Sequence, residues 1–225
     1  MQVREPPTAI EYPSSDGKPM AETDRHIQLM GELRFTLQDF FRADDAVCVA
    51  TDLLLYYIEG DPRRRIAPDV FVVRGVVRRS RRIYKLWEEG RPPDVVIELS
   101  SRQTWREDLQ EKWRLYEQLG VREYFIFDPE YDYLDPPLIG YRLDADGRYV
   151  ALEVENNRLH SEALKLDLVD TGETLRLFDP RTNQFLPTPT EDAAARRHEA
   201  EARRQAEAEV ARLREELARL RGESS

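Results

Sequence analysis

The chain has 225 residues, 40% hydrophobic and 9% aromatic, enough apolar material for one core of ordinary domain size plus an appendage, which excludes a disordered chain. A single cysteine, Cys48, rules out an internal disulfide framework and a four-thiolate zinc site, and no apolar stretch approaches the roughly 20 residues of a membrane span or suggests a signal-type leader. With 34 basic against 44 acidic residues the formal charge is −10, which taken alone argues against nucleic acid as a partner; the expectation is a soluble, cytoplasmic protein with no membrane contact.

Residues 1–20 carry Pro6, Pro7, Pro13, Pro19 and Gly17 with little apolar content and read as a flexible arm. A helix is expected near 22–42, where Leu29, Leu33, Leu37, Phe40 and Phe41 recur at helical spacing. An extended apolar run spans 47–58 and stops at Gly60-Asp61-Pro62. Two further strands begin at Asp69, after Pro68, and at Asp94, after Pro92-Pro93. A helix at about 105–119 ends at Gly120, and a strand at 124–127 closes on Asp128-Pro129. The strand–helix–strand order of 94–127 implies a right-handed crossover between parallel strands, and their near-continuous apolar character implies that both faces are covered. Segments 138–154 and 159–178, with turns at Asp146-Gly147 and Asn156-Asn157, read as added antiparallel hairpins. The fold class is therefore α/β (α+β), over residues 21–190.

Residues 191–225 form a tail, nearly all Ala, Glu, Arg and Leu up to residue 221. Val210, Leu213, Leu217 and Leu220 fit the a and d positions of a heptad, while Arg203 and Glu199 interrupt the seam. A solvated helix held by its own ion pairs and a dimerising coiled coil both fit this pattern.

The chemistry centres on the helix at 105–119. Its apolar arc is formed by Trp105, Leu109, Trp113, Leu115, Tyr116 and Leu119, yet Asp108 and Lys112 fall inside it, one turn apart. Burying such charges costs several kcal/mol, roughly, unless they are paired; a lysine snorkelling at the core rim is the plainer explanation. In the preceding strand Glu98 interrupts an apolar run, with Asp94, Val96 and Ser100 on its face. Asp69 opens the neighbouring strand, where it also suits a turn after Pro68. The coincidence of the three on consecutive elements favours a site. Two carboxylates with a lysine from the next helix suit a hard divalent cation, Mg²⁺ or Mn²⁺, against a phosphate, the lysine orienting or deprotonating a water.

The series Pro68-Asp69-Val-Phe-Val-Val, Pro93-Asp94-Val-Val-Ile-Glu98-Leu-Ser-Ser101-Arg-Gln-Thr104, Asp108-Leu-Gln-Glu-Lys112, Tyr116 and Gly120-Val-Arg-Glu-Tyr124-Phe-Ile-Phe-Asp128-Pro129 resembles the Uma-two family of restriction endonucleases, within the PD-(D/E)XK nuclease superfamily. The resemblance covers about residues 21–190. It implies a restriction-endonuclease-like core, a mixed β-sheet flanked by helices with a C-terminal helical tail, and Mg²⁺-dependent (or Mn²⁺-dependent) hydrolysis of DNA phosphodiesters. It makes Asp69 and Glu98 the metal-binding acids. The superfamily's usual lysine, two residues after the Glu, is replaced by Ser100, and the resemblance moves its role to Lys112, with Asp108 as the partner holding that lysine. Arg102 stands where the family usually has proline. Related nucleases also place an acid on the first helix near the metal, which here points to Glu32; His26, on the apolar arc of that helix, reads as a packed or capping histidine.

Residues 62–85 hold nine basic side chains against one acid, Asp69. Arg63, Arg64, Arg65, Arg78, Arg79, Arg81 and Arg82 are the DNA-contacting candidates within that stretch, although a solvated loop would look the same. The overall expectation is a metal-dependent endonuclease acting on DNA as a homodimer, because cutting both strands takes two sites. A catalytically silent nucleic-acid-binding or assembly protein that keeps the fold is the alternative.

Overall fold

A computed structural model of the chain describes residues 10–15 and 23–222. The remainder of the expected N-terminal arm lies outside the described residues. Within 10–15, Tyr12 is anchored: its ring meets Tyr56 edge-on at 5.1 Å, its oxygen accepts from the Gly60 N–H at 2.8 Å, and Tyr56 donates to the Pro13 carbonyl at 2.6 Å.

The chain opens with α1 (Asp24–Phe40), whose N-terminus is capped by Thr23 Oγ accepting from the His26 N–H at 3.2 Å. The expected single strand over 47–58 is two, β1 (Val47–Ala50) and β2 (Leu55–Tyr56), because Asp52 adopts a left-handed φ of 46° and turns the chain from one sheet into another. Then follow β3 (Arg65–Ile66), β4 (Val70–Arg74), β5 (Tyr84–Lys85), the short α2 (Leu86–Glu89) and β6 (Val95–Leu99). The crossover begins as α3 (Trp105–Glu107), widens into one π-helical turn at Asp108–Lys112, and ends as α4 (Trp113–Leu119). Gly120 stops it at φ 79°, a conformation that suits glycine. Seven strands complete this part: β7 (Glu123–Phe127), β8 (Leu138–Leu143), β9 (Tyr149–Ala151), β10 (Arg158–Ser161), β11 (Leu166–Asp170), β12 (Leu175–Asp179) and β13 (Gln184–Phe185). Asn156 and Asn157, both at positive φ, make the turn expected before β10.

The central sheet is mixed, in the order β1-β4-β6-β7-β8-β9, with β6 and β7 parallel and its other pairs antiparallel. Alternation assigns its two faces. Val70, Val72, Val95, Ile97, Leu99, Phe125 and Phe127 pack on Leu29, Leu33 and Leu37 of α1 and on leucines of the sheet β10-β11-β12-β13. Phe71, Val73, Val96, Tyr124 and Ile126 pack on Trp105, Leu109, Trp113 and Tyr116 of the crossover helix. Each such fully buried side chain contributes about 1.5–3 kcal/mol, and two covered faces make the sheet a rigid base. A small third sheet, β3-β2-β5, flanks this core.

The described residues divide into two compact units between Leu186 and Pro187. The second is α5 (Pro189–Gly222), started by a reciprocal cap in which Thr188 Oγ accepts from the Glu191 N–H and Glu191 accepts from the Thr188 N–H. Its Asp192–Arg196 and Arg203–Glu207 pairs, four residues apart, support the helix along its own surface. No helix among the described residues is long and apolar enough to cross a membrane.

One buried carboxylate joins the central sheet to its neighbour. Glu123, on β7, accepts from Ser161 Oγ, from the N–H groups of Glu162 and Ala163, and from Arg142 Nε at 2.9 Å. Glu123→Ala strands all four donors and is expected to cost about 3 kcal/mol in denaturant unfolding. An unchanged midpoint contradicts that role.

Candidate active site

Strand register brings the first two acids together. In the antiparallel pair β4/β6, Val70 stands opposite Ile97, so one step further Asp69 stands opposite Glu98, on the face shared with Phe71 and Val96. Each carboxylate reaches the other strand's backbone: the Asp69 N–H faces Glu98 Oε2 at 3.4 Å, and Asp69 Oδ2 accepts from the Leu99 N–H at 2.7 Å. Asp69 retains 20% exposure of its side chain, whereas Glu98 is wholly enclosed.

The parallel step from β6 to β7 requires a crossover, and its helix carries the lysine. Lys112 Nζ lies 3.0 Å from Glu98 Oε2 and 2.8 Å from Asp108 Oδ1. The π-helical turn spans the whole stretch from Asp108 to Lys112, so both charges sit on the wider turn that faces the sheet. Asp108 is fixed in turn by Ser100 Oγ, which donates to its Oδ2 at 2.8 Å, and by Tyr124, which donates to its backbone carbonyl at 3.0 Å. Ser100 thus holds the acid that holds Lys112.

Asp69, Glu98, Asp108 and Lys112 therefore form one cluster in the structure, and two further residues join it. Tyr116 donates to Glu98 Oε1 at 2.6 Å. His26, read from the sequence as packed or capping, is packed and more: its ring is buried and Nε2 lies 3.3 Å from Asp69 Oδ1, while the cap of α1 is Thr23, which accepts from the His26 N–H. Its place on the apolar arc of α1 was the one signal, and the strand end it faces is a tertiary fact. Glu32 instead accepts from Gln28 Nε2 at 2.8 Å, one turn back along α1.

Electrostatics divide the acids. Burial drives the Glu98 carboxyl well above its usual range, with Lys112 opposing and the charges of Asp69 and Asp108 adding to the rise. At Asp69 burial also acts upward, but the His26 hydrogen bond and the charge of Lys112 outweigh it and hold that carboxyl low. Burial acts to discharge Lys112, yet Glu98, Asp108 and Asp69 more than compensate, so its pKa is raised and it stays an ammonium. Tyr116 is pushed up by burial and by Glu98, and remains a donor.

Among the described residues no three His, Cys, Asp or Glu side chains form a ready-made metal cage. The donors do suit a hard cation held by few protein ligands: Asp69 and Glu98 offer carboxylate oxygens, and the Lys112 ammonium lies between the carboxylates of Glu98 and Asp108. A divalent cation is the counter-charge such a set accommodates.

Residues 1–172 match the family model Uma2, described as "Putative restriction endonuclease". The chain belongs to the Uma2 family. One similar solved structure is described as a putative nuclease belonging to DUF820 from Anabaena variabilis; it is 15% identical, with 67% of this chain and 81% of that chain covered and a TM-score of 0.48. No curated protein matches the chain.

In this Uma2 chain the arginine stretch has mixed duties. Arg78 caps carbonyls at the end of α1 and its following turn, donating to Phe41, Arg42, Asp44 and Val47. Arg81, only 4% exposed, grips Glu89 through two bonds of 2.7 and 2.9 Å, and Arg79 reaches the same carboxylate at 2.8 Å. Arg65 donates to the Pro62 carbonyl, Arg63 and Arg64 lie by Asp61, and Arg82 donates to Ser14 Oγ. Arg63, Arg64, Arg78, Arg79 and Arg82 remain exposed.

The Arg81 hydrogen bond, aided by Arg79, holds the Glu89 carboxyl below its usual range. A carboxyl lowered on folding stabilises the protein above its unfolded pKa, about 4.3, and loses that contribution as pH falls through the folded value. Glu89→Gln is therefore expected to lose about 1–2 kcal/mol at pH 7, with the gap to wild type narrowing once the pH drops below about 4. Thermal melts across pH check this; a gap that persists unchanged into acid contradicts it.

Proposed function

We propose that this protein is a divalent-metal-dependent endonuclease that hydrolyses DNA phosphodiesters through Asp69, Glu98 and Lys112, using Mg²⁺ or Mn²⁺, in the cytoplasm. The observation that carries this reading is Lys112: a buried ammonium delivered from the crossover helix to within 3.0 Å of the acid that stands opposite Asp69. Membership of a family described as restriction endonucleases supports it.

Asp69 and Glu98 would hold the cation; when bound, it supplies positive charge to the phosphate oxygens and makes a coordinated water more acidic. The chain's own residues do the rest. Lys112, held between Glu98 and Asp108, is placed to orient the attacking water and to balance charge on the phosphate. An ammonium has three protons, and Glu98 and Asp108 take two of them among the described residues, which leaves one for an incoming oxygen. Tyr116 fixes the rotamer of Glu98, while Ser100 and Asp108 fix that of Lys112. The water oxygen bonds to phosphorus as the bond to the leaving oxygen breaks; the water's proton passes to solvent, and the leaving oxygen takes a proton from solvent. Cutting both strands takes two such sites; the half-exposed Val210, Leu213 and Leu217 along α5 are the surface we assign to pairing of two copies.

A second reading draws on the enclosure of Glu98, whose two oxygens are already met by Tyr116 and Lys112. It makes the protein a silent nucleic-acid binder that keeps the fold. Nicking of supercoiled plasmid in Mg²⁺ or Mn²⁺ separates the two. The nuclease reading expects cleavage that chelation abolishes and that Glu98→Gln and Lys112→Met each reduce about 10²–10³-fold, with unfolding midpoints reported alongside. Cleavage that survives both substitutions contradicts the site, and binding without any cleavage favours the second reading.

A further inference from the structure

The edge strand β1 borders a cleft of about 540 Å³ that the acid cluster does not use. Arg34 and Gln38, one turn apart on α1, line one side; Arg78, Arg79 and Arg81 line another, and Thr51 lies at the strand's end. Four of the lining residues are arginines and none is acidic. The outer edge of β1 is covered by side chains rather than by another strand: Gln38 donates to the Val49 carbonyl at 3.3 Å, and Arg78 to that of Val47. Side chains thus occupy two carbonyls along that edge.

The charges differ in how they are held. Arg78 donates to neutral carbonyls, so its charge has no acidic partner in those contacts, and Arg81 is fixed beneath the surface by Glu89. Arg34 and Arg79 are exposed arms, one on either side; Arg79 also reaches Glu89 at 2.8 Å, and Arg34 Nη1 meets the Thr51 hydroxyl at 3.4 Å. The channel also leads toward the acids. Asp52, next after Thr51, donates its N–H to the carbonyl of Pro68, and Pro68 immediately precedes Asp69.

We infer that this cleft is the track for one strand of the DNA substrate, carrying its sugar–phosphate backbone along β1 toward the phosphate at Asp69, with Arg34 and Arg79 as the phosphate contacts. Spaced cations joined to the acids by one strand of sheet suit a repeating anion that continues to the site, more than a single bound phosphate. The half-buried Val49 gives sugars an apolar contact without base-specific donors. The assignment rests on the nuclease reading and deepens it. It also changes which arginines matter: Arg34, outside the basic stretch, takes part, while Arg78 and Arg81 shape the channel.

The test uses the full chain and a fluorescent DNA duplex in chelator, where binding is read without cleavage, across a salt series. Arg34→Ala and Arg79→Ala are each expected to weaken binding roughly tenfold and to lower the salt slope by about one, the double variant by about two, with Arg34→Lys recovering most of the slope. Lys165→Gln, in the β10–β11 turn, serves as an exposed control expected to leave both unchanged. A double variant that matches wild type in affinity and slope, while wild type nicks plasmid, overturns the track and leaves the nuclease reading standing. Displacement of the duplex by inorganic phosphate at equal phosphate concentration also overturns it, in favour of a single-anion pocket. A wild-type chain that neither binds nor cuts DNA removes the nuclease reading and the track together.

Discussion

The ammonium of Lys112 is the constraint around which the site is arranged. It lies 12% exposed between two carboxylates that are not exposed at all. Removing a charge from water costs several kcal/mol in effect, and attraction compensates only with close geometry and satisfied partners. The neighbouring residues supply that geometry. Ser100 and Tyr124 pin Asp108, Tyr116 pins Glu98, and the π-helical turn presents Lys112 and Asp108 to the sheet together. Taking away any one of these leaves a buried charge misplaced, so the cluster behaves as a unit rather than as separable pairs.

The scaffold supplies what side chains alone cannot. Asp69 and Glu98 meet because β4 and β6 are antiparallel in one particular register, and a slip of one residue would turn one acid to the opposite face. Register is held by the apolar packing on both sides of the sheet, from α1 on one face and the crossover helix on the other. The only parallel pair in that sheet, β6 with β7, demands a long connection, and that connection is the helix bearing Lys112. Topology and chemistry are thus the same feature seen at two scales.

Much of this was legible in the chain. Alternation in Asp94-Val-Val-Ile-Glu98-Leu places Glu98 on a defined face, and Asp108 and Lys112 stand out as charges inside an apolar arc. Those are local signals with fixed periods. What was not legible depends on contacts distant in sequence or on a backbone choice at one residue. The run 47–58 reads as one strand because hydrophobicity does not register the left-handed turn at Asp52. His26 reads as core because only the folded chain brings the end of β4 to it. The nine cations of residues 62–85 read as one basic surface, whereas Arg78 and Arg81 are bound to carbonyls and to Glu89, partners that charge counting cannot see. The net charge of −10 is equally uninformative about partners, since the acids and arginines that matter are sorted by the fold and not by the sum.

The central claim is that Asp69 and Glu98 jointly hold a divalent cation beside Lys112. Anomalous diffraction from crystals of the full chain soaked in Mn²⁺ tests it most directly. The account predicts a peak about 2.1 Å from a carboxylate oxygen of each acid, absent in a Glu98→Gln crystal. No peak there in crystals of protein shown to cut DNA, or a peak held by other residues, would contradict it.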